Sequence, residues 1–81
     1  KLHWQQSLKI LSDIFNHYPH MVLEEEAEIV NAMDLLVRNI FSNHQKEIRQ
    51  VESYRNYMVN ILEFMKKHGS KYSDSLLKTE F

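Results

Sequence analysis

Eighty-one residues allow one hydrophobic core, because two separate cores could not both be closed at this length. Hydrophobic residues at 43% and charged residues at 26% are the composition of a folded globular chain, and aromatics at 11% exclude intrinsic disorder. A formal net charge of -1 and a pI near 6.6 exclude a general attraction to nucleic acid or anionic membrane, and zero Cys excludes disulfide and thiolate chemistry.

No apolar run approaches the roughly 18–20 residues that span a bilayer, and no charged segment precedes an apolar leader. These features predict a soluble, intracellular protein, cytoplasmic or nuclear, with no membrane association. The chain opens on Lys1 rather than Met, which suggests an excised domain or a trimmed product. One Gly, one Pro and the absence of alternating β-branched runs predict an all-α fold without strands. Stability on the order of 5 kcal/mol is expected for a domain of this size.

The first predicted helix covers about 3–18. Trp4, Leu8, Leu11, Phe15 and Tyr18 follow a spacing of fours and threes, Ile10 and Ile14 widen the stripe, and Gln5, Gln6, Lys9, Ser12, Asp13 and Asn16 make the solvated side. Pro19 ends it, having no N–H to donate and pushing Tyr18 out of helical angles. The second helix, near 22–42, starts between His20 and Glu25, with Glu24, Glu25 and Glu26 favoured beside the positive end of the helix dipole. Ile29, Val30, Met33, Leu36, Val37, Ile40 and Phe41 share its apolar arc, and Leu35 projects into its polar side.

Ser42 and Gln45 have the spacing of a capping box, so a third helix is expected over 45–68. Ile48, Val51, Tyr54, Met58, Ile61, Leu62 and Met65 line its core face, and Lys66, Lys67, His68 and Gly69 mark its end. The alternative is one continuous helix from about Glu24 to His68, too long to fold back on itself and forced to swap or dimerise. In the tail over 70–81, Ser73 is a candidate cap for a short fourth helix that presents Leu76, Leu77 and Phe81.

The chemistry-bearing residues do not converge. His17 and His20 near Glu24 have ligand-like spacing, but Pro19 interrupts the helix that would align them, so no metal or other cofactor is expected. Glu24, Glu25 and Glu26 point about 100° apart and cannot act on one substrate. With no nucleophile beside its base and no phosphate loop, the chain is not expected to be an enzyme. Lys46, Arg49 and Lys67, with Ser53, Asn56 and Asn60, give a sparse cationic side to the third helix, interrupted by Glu63, which argues against nucleic acid. Tyr57 and Phe64, seven residues apart just beyond one edge of the core arc, are either the margin of the core or a wall of a groove, with Arg55 beyond the other edge.

Two family resemblances touch these helices. Tyr57-x3-Ile61-x2-Phe64-Met65-Lys66-Lys67-His68-Gly69-Ser70-Lys71-Tyr72 is similar to the close of the last helix in SRI domains, three-helix modules of histone-lysine methyltransferases that bind the phosphorylated tail of RNA polymerase II. The basic surface used by that family has no counterpart here, where Glu24 to Glu26 open the second helix. Met33, Leu36, Val37, Ser53 and Tyr57 recur at spacings similar to those in KIX domains, three-helix modules that hold amphipathic activation helices. The two likenesses point to different families, and no functional residue is carried over from either.

The sequence thus predicts a single antiparallel three-helix bundle over 1–81, with a short C-terminal fourth helix as a candidate addition. Its expected core is Trp4, Leu8, Leu11, Phe15, Ile29, Met33, Val37, Ile40, Ile48, Val51, Met58, Leu62 and Met65. The expected function is protein–protein interaction, as a regulatory or adaptor domain that presents a groove or helix face to a protein or amphipathic peptide through Tyr57, Phe64, Arg55 and Leu35. A nucleic-acid-binding domain and a self-associating homodimer are the alternatives.

Overall fold

In the computed structural model, residues 3–17 and 26–81 are described, and they form four helices and no strand. These are α1 (Trp4–His17), α2 (Glu26–Gln50), α3 (Glu52–Lys67) and α4 (Lys71–Thr79). Pro19, His20 and the expected start of the second helix lie outside the described residues, as do Glu24 and Glu25.

α3 is the central element and packs against each of the other three helices. Met58, Ile61, Leu62 and Met65 along it are fully buried. α1 runs parallel to α3: Trp4 lies edge-on to Tyr54, Ser12 faces Asn60, and Phe15 stacks on Phe64. α2 supplies Val30, Val37, Ile40, Phe41 and Ile48, and α4 closes the remaining side with Leu76. The all-α bundle is therefore present, with α4 as a full fourth member.

Three features of the expected core change. Ile29 is 36% exposed and Val51 is 40% exposed, so neither belongs to it. Trp4, Leu11 and Met33 sit partly buried at its edge, while Val30, Phe41, Ile61, Phe64 and Leu76 join it. Ser12, expected on the solvated side of α1, is buried: it lies only about 40° round the helix from Leu8 and accepts a hydrogen bond from Asn60 Nδ2 at 3.3 Å.

The expected helix over 45–68 carries a further break inside it. The break expected at 42–45 is present: His44 leaves helical angles (φ -136, ψ 29), and two helical arms of α2 meet across that kink, the second running to Gln50. Ser42 does not cap anything there, because its hydroxyl donates back to the Asn39 carbonyl at 3.4 Å. A second division falls at Val51, whose extended conformation (φ -87, ψ 114) separates α2 from α3. A β-branched residue is at ease in that region, which is why a single Val turns the chain without Gly or Pro.

The end of α3 matches its sequence signals. Gly69 has φ 98, Ser70 N–H bonds the Met65 carbonyl at 2.9 Å and Gly69 N–H bonds the Lys66 carbonyl at 3.0 Å. This is a Schellman closure, and the left-handed residue in it favours glycine. Ser70 also begins α4, accepting from Ser73 N–H at 3.1 Å; the cap is Ser70, and Ser73 is the buried donor. The Ser70 hydroxyl proton goes to Asp34 Oδ1 at 2.6 Å, which ties the α3–α4 corner to α2.

Candidate functional site

The four residues selected from sequence do not form one surface. Phe64 is 7% exposed and stacks on Phe15 with ring centroids 4.0 Å apart and planes 2° from parallel, so α1 covers the shoulder it was expected to offer. Tyr57 is partly buried against the core. Arg55 is exposed, but its guanidinium donates to the Arg49 carbonyl at 3.0 Å, spanning the Val51 corner. Leu35 is 68% exposed on the outer side of α2.

A different apolar surface appears between α1 and α2. α2 meets α4 through Asp34, which accepts from Ser70, and Arg38, whose guanidinium lies 4.3 Å from the centre of the Tyr72 ring. These two residues sit about 60° and 100° round the helix from Val37. The opposite flank of α2 therefore faces away from α4, and it carries Ile29, Met33 and Leu36. On α1, Ser12 marks the side turned to Asn60, and the other side carries Leu11, Ile14 and Ile10. Trp4 stacks on His44, 4.2 Å between centroids and 12° between planes, which joins the start of α1 to α2 at its kink. Ile10 (44% exposed) and Ile14 (40%) on α1, and Ile29 (36%) and Leu36 (45%) on α2, are thus partly exposed apolar side chains on these flanks. Periodicity had placed these residues in the core stripe; the signal that marks them as surface is that α1 and α2 both pack on α3 more than on each other, which no helical wheel shows.

A second concavity lies between α3 and α4, about 510 Å³ in volume and lined by Val59, Glu63, Lys66, Leu77, Lys78 and Phe81. Its two lysines are engaged by one carboxylate: Lys66 Nζ and Lys78 Nζ each lie 3.3 Å from an oxygen of Asp74. The hydrogen bonds from Lys66 and then Lys78 hold the Asp74 carboxyl below its ordinary value of 3.8. Beside it, burial pushes the Tyr72 phenol above 10.0, opposed by the Arg38 guanidinium and reinforced by Asp34 and Glu80. These charges tie helices together.

The cations expected to form one face are divided between helices. Lys46 and Arg49 lie at the end of α2, before the Val51 corner, and Lys67 ends α3. Arg49 pairs with Glu80 and lies over the Phe41 ring, and Asn60 is turned toward Ser12. Among the described residues no cluster of His, Asp and Glu is arranged to hold a metal, and no helix is long and apolar enough to cross a membrane.

Comparison with protein-family models, with curated proteins and with solved structures returns no match to this chain, so neither the SRI nor the KIX likeness enters the functional reading.

Proposed function

We propose that this chain is a non-enzymatic protein-interaction module whose α1–α2 seam receives the apolar face of an amphipathic helix from a partner protein. The observation that supports this reading is that apolar side chains stay partly exposed on both helices, Ile10 and Ile14 on α1 and Ile29 and Leu36 on α2. Spacings of four and seven residues on the two rims suit a third helix laid between them, and Met33 beneath supplies an adaptable floor. The site residues shift accordingly from the Tyr57 and Phe64 shoulder to these rims.

The test uses the whole chain as bait, with Ile14→Glu and Leu36→Glu as variants. Both positions are more than one-third exposed, so melting should stay within about 0.5 kcal/mol of the parent. Affinity for a captured partner should fall at least about tenfold in each, since a carboxylate set against an apolar helix face loses more than 1.4 kcal/mol. Equal affinity in parent and both variants would remove the seam from the proposal. Retention of nucleic acid with steep salt dependence would favour the nucleic-acid alternative instead.

A further inference from the structure

We infer that α4 is a detachable lid on α2 and α3, and that the strip beneath it is a second site for a partner helix of α4's own chemistry. That chemistry is a hydroxyl at the helix start, an aromatic ring in its first turn, and a carboxylate and an apolar ring at its end.

The strip is built from α2. Asp34, Arg38 and Phe41 follow one another at four and three residues and so share one side of the helix, and Arg49 follows beyond the kink at His44. Each meets one point of α4 or its ends. The Ser70 hydroxyl donates to Asp34 Oδ1 at 2.6 Å, the Arg38 guanidinium lies 4.3 Å from the centre of the Tyr72 ring, the rings of Phe41 and Phe81 are 5.8 Å apart, and Glu80 pairs with Arg49. The pairings run from the start of α4 to its end as they run along α2, so the two helices lie parallel and the α4 sequence states which ligand the strip fits.

Three observations make α4 the element that opens. Its nine residues are fewer than the roughly 12–15 that hold an isolated helix together in water, so its order depends on its seat. Within it only Ser73 and Leu76 are buried, whereas α3 buries Met58, Ile61, Leu62, Phe64 and Met65, and its ion pairs from Glu80 to Arg49 and from Asp74 to Lys66 are partly exposed and individually weak. On its α3 side a concavity of about 510 Å³ stays open between Val59 and Leu77, so the lid is not sealed along that edge. Rotation at Gly69 and Ser70 lifts α4 while α1 and α2 keep their packing on α3.

Lifting the lid uncovers Arg38, Phe41 and Arg49 together, two cations and a ring, with Asp34 as the acceptor at one end. In the closed chain these groups are satisfied by α4. A partner helix must therefore displace it, and the apparent affinity is lowered to the fraction of chains that are open. The strip lies on the flank of α2 opposite the one proposed to receive a partner above, and neither site rests on the other.

The probe is a fluorescein-labelled peptide of residues 70–81, titrated into the whole chain and followed by anisotropy. Leu76→Ala weakens the lid and leaves the strip intact, so this variant should bind the peptide at least about tenfold more tightly than the parent does. A peptide carrying Glu80→Gln should bind the variant several-fold more weakly, having lost its partner at Arg49. Native-state hydrogen exchange is the second measurement. The amides of Asp74 and Glu80 donate to the Ser70 and Leu76 carbonyls at 3.2 and 2.9 Å, and in the parent they should exchange at least about tenfold faster than those of Ile61 and Met65. If Leu76→Ala does not fold, Glu80→Gln in the chain loosens the lid in its place and should show the same direction of change. Peptide bound no more tightly by the folded variant than by the parent, equal binding of the two peptides, or α4 amides that exchange in step with those of α3 would each overturn the inference.

Discussion

At the scale of single residues, the distinction that matters is between side chains that share a helical stripe and side chains that are sealed by it. Leu11 and Met58 both fall on predicted core stripes, yet Met58 is fully buried on α3 while Leu11 is partly exposed at the α1–α2 seam. Met58→Ala should therefore cost about 2–5 kcal/mol, the cost of a cavity in a core that cannot collapse, and Leu11→Ala about half of that or less. Denaturant unfolding checks the pair, and equal losses would place Leu11 in the sealed core. The same distinction explains Phe64, whose position beyond the edge of its arc suggests a surface aromatic. Phe15 on a neighbouring helix closes over it, and a periodicity read along one helix holds no information about what the next helix brings.

Among the helices, the break near 42–45 and the closure at Gly69 were legible in the sequence, and the second bend, at Val51, was not. Gly69 needs φ 98 and the sequence offers its only glycine there; the Lys66, Lys67 and His68 run precedes it, and Ser70 follows as a cap for α4. Val51 carries no such mark. It lies on the apolar stripe of a segment whose periodicity runs on without interruption, and the bend places Met58, Ile61, Leu62 and Met65 against α1 and α2. The corner also lacks the side-chain acceptor that a helix start prefers. Val51→Ser should supply it and raise stability by about 1 kcal/mol, provided the hydroxyl accepts from Ser53 or Tyr54 N–H. An unchanged or lowered melting temperature would show that the apolar contact of Val51 outweighs the missing cap.

For the molecule as a whole, a few polar ties join helices that the core already packs: Ser70 to Asp34 between α4 and α2, Arg49 to Glu80 between α2 and the end of α4, and Lys66 to Asp74 between α3 and α4. Asp74 makes one of these ties titratable. Its carboxyl is held below 3.8 in the fold, so its contribution is complete above that value and is lost as the pH falls through the lower folded value. Thermal melting followed below pH 3.8 should show a decline that Asp74→Asn lacks, and parallel profiles for the two chains would remove Asp74 from the acid response. The sequence by itself determined the all-α class, the stripes of α1, α2 and α3, and the closure at Gly69, because each depends on residues within a few positions of one another. Only the tertiary structure decided that α4 completes the bundle, that a second bend falls at Val51, that Phe64 is enclosed, and that Ile10, Ile14, Ile29 and Leu36 remain at the surface. The physical reason is common to all four: a helical wheel specifies which residues seek cover, while the number and placement of the neighbouring helices determine which of them receive it.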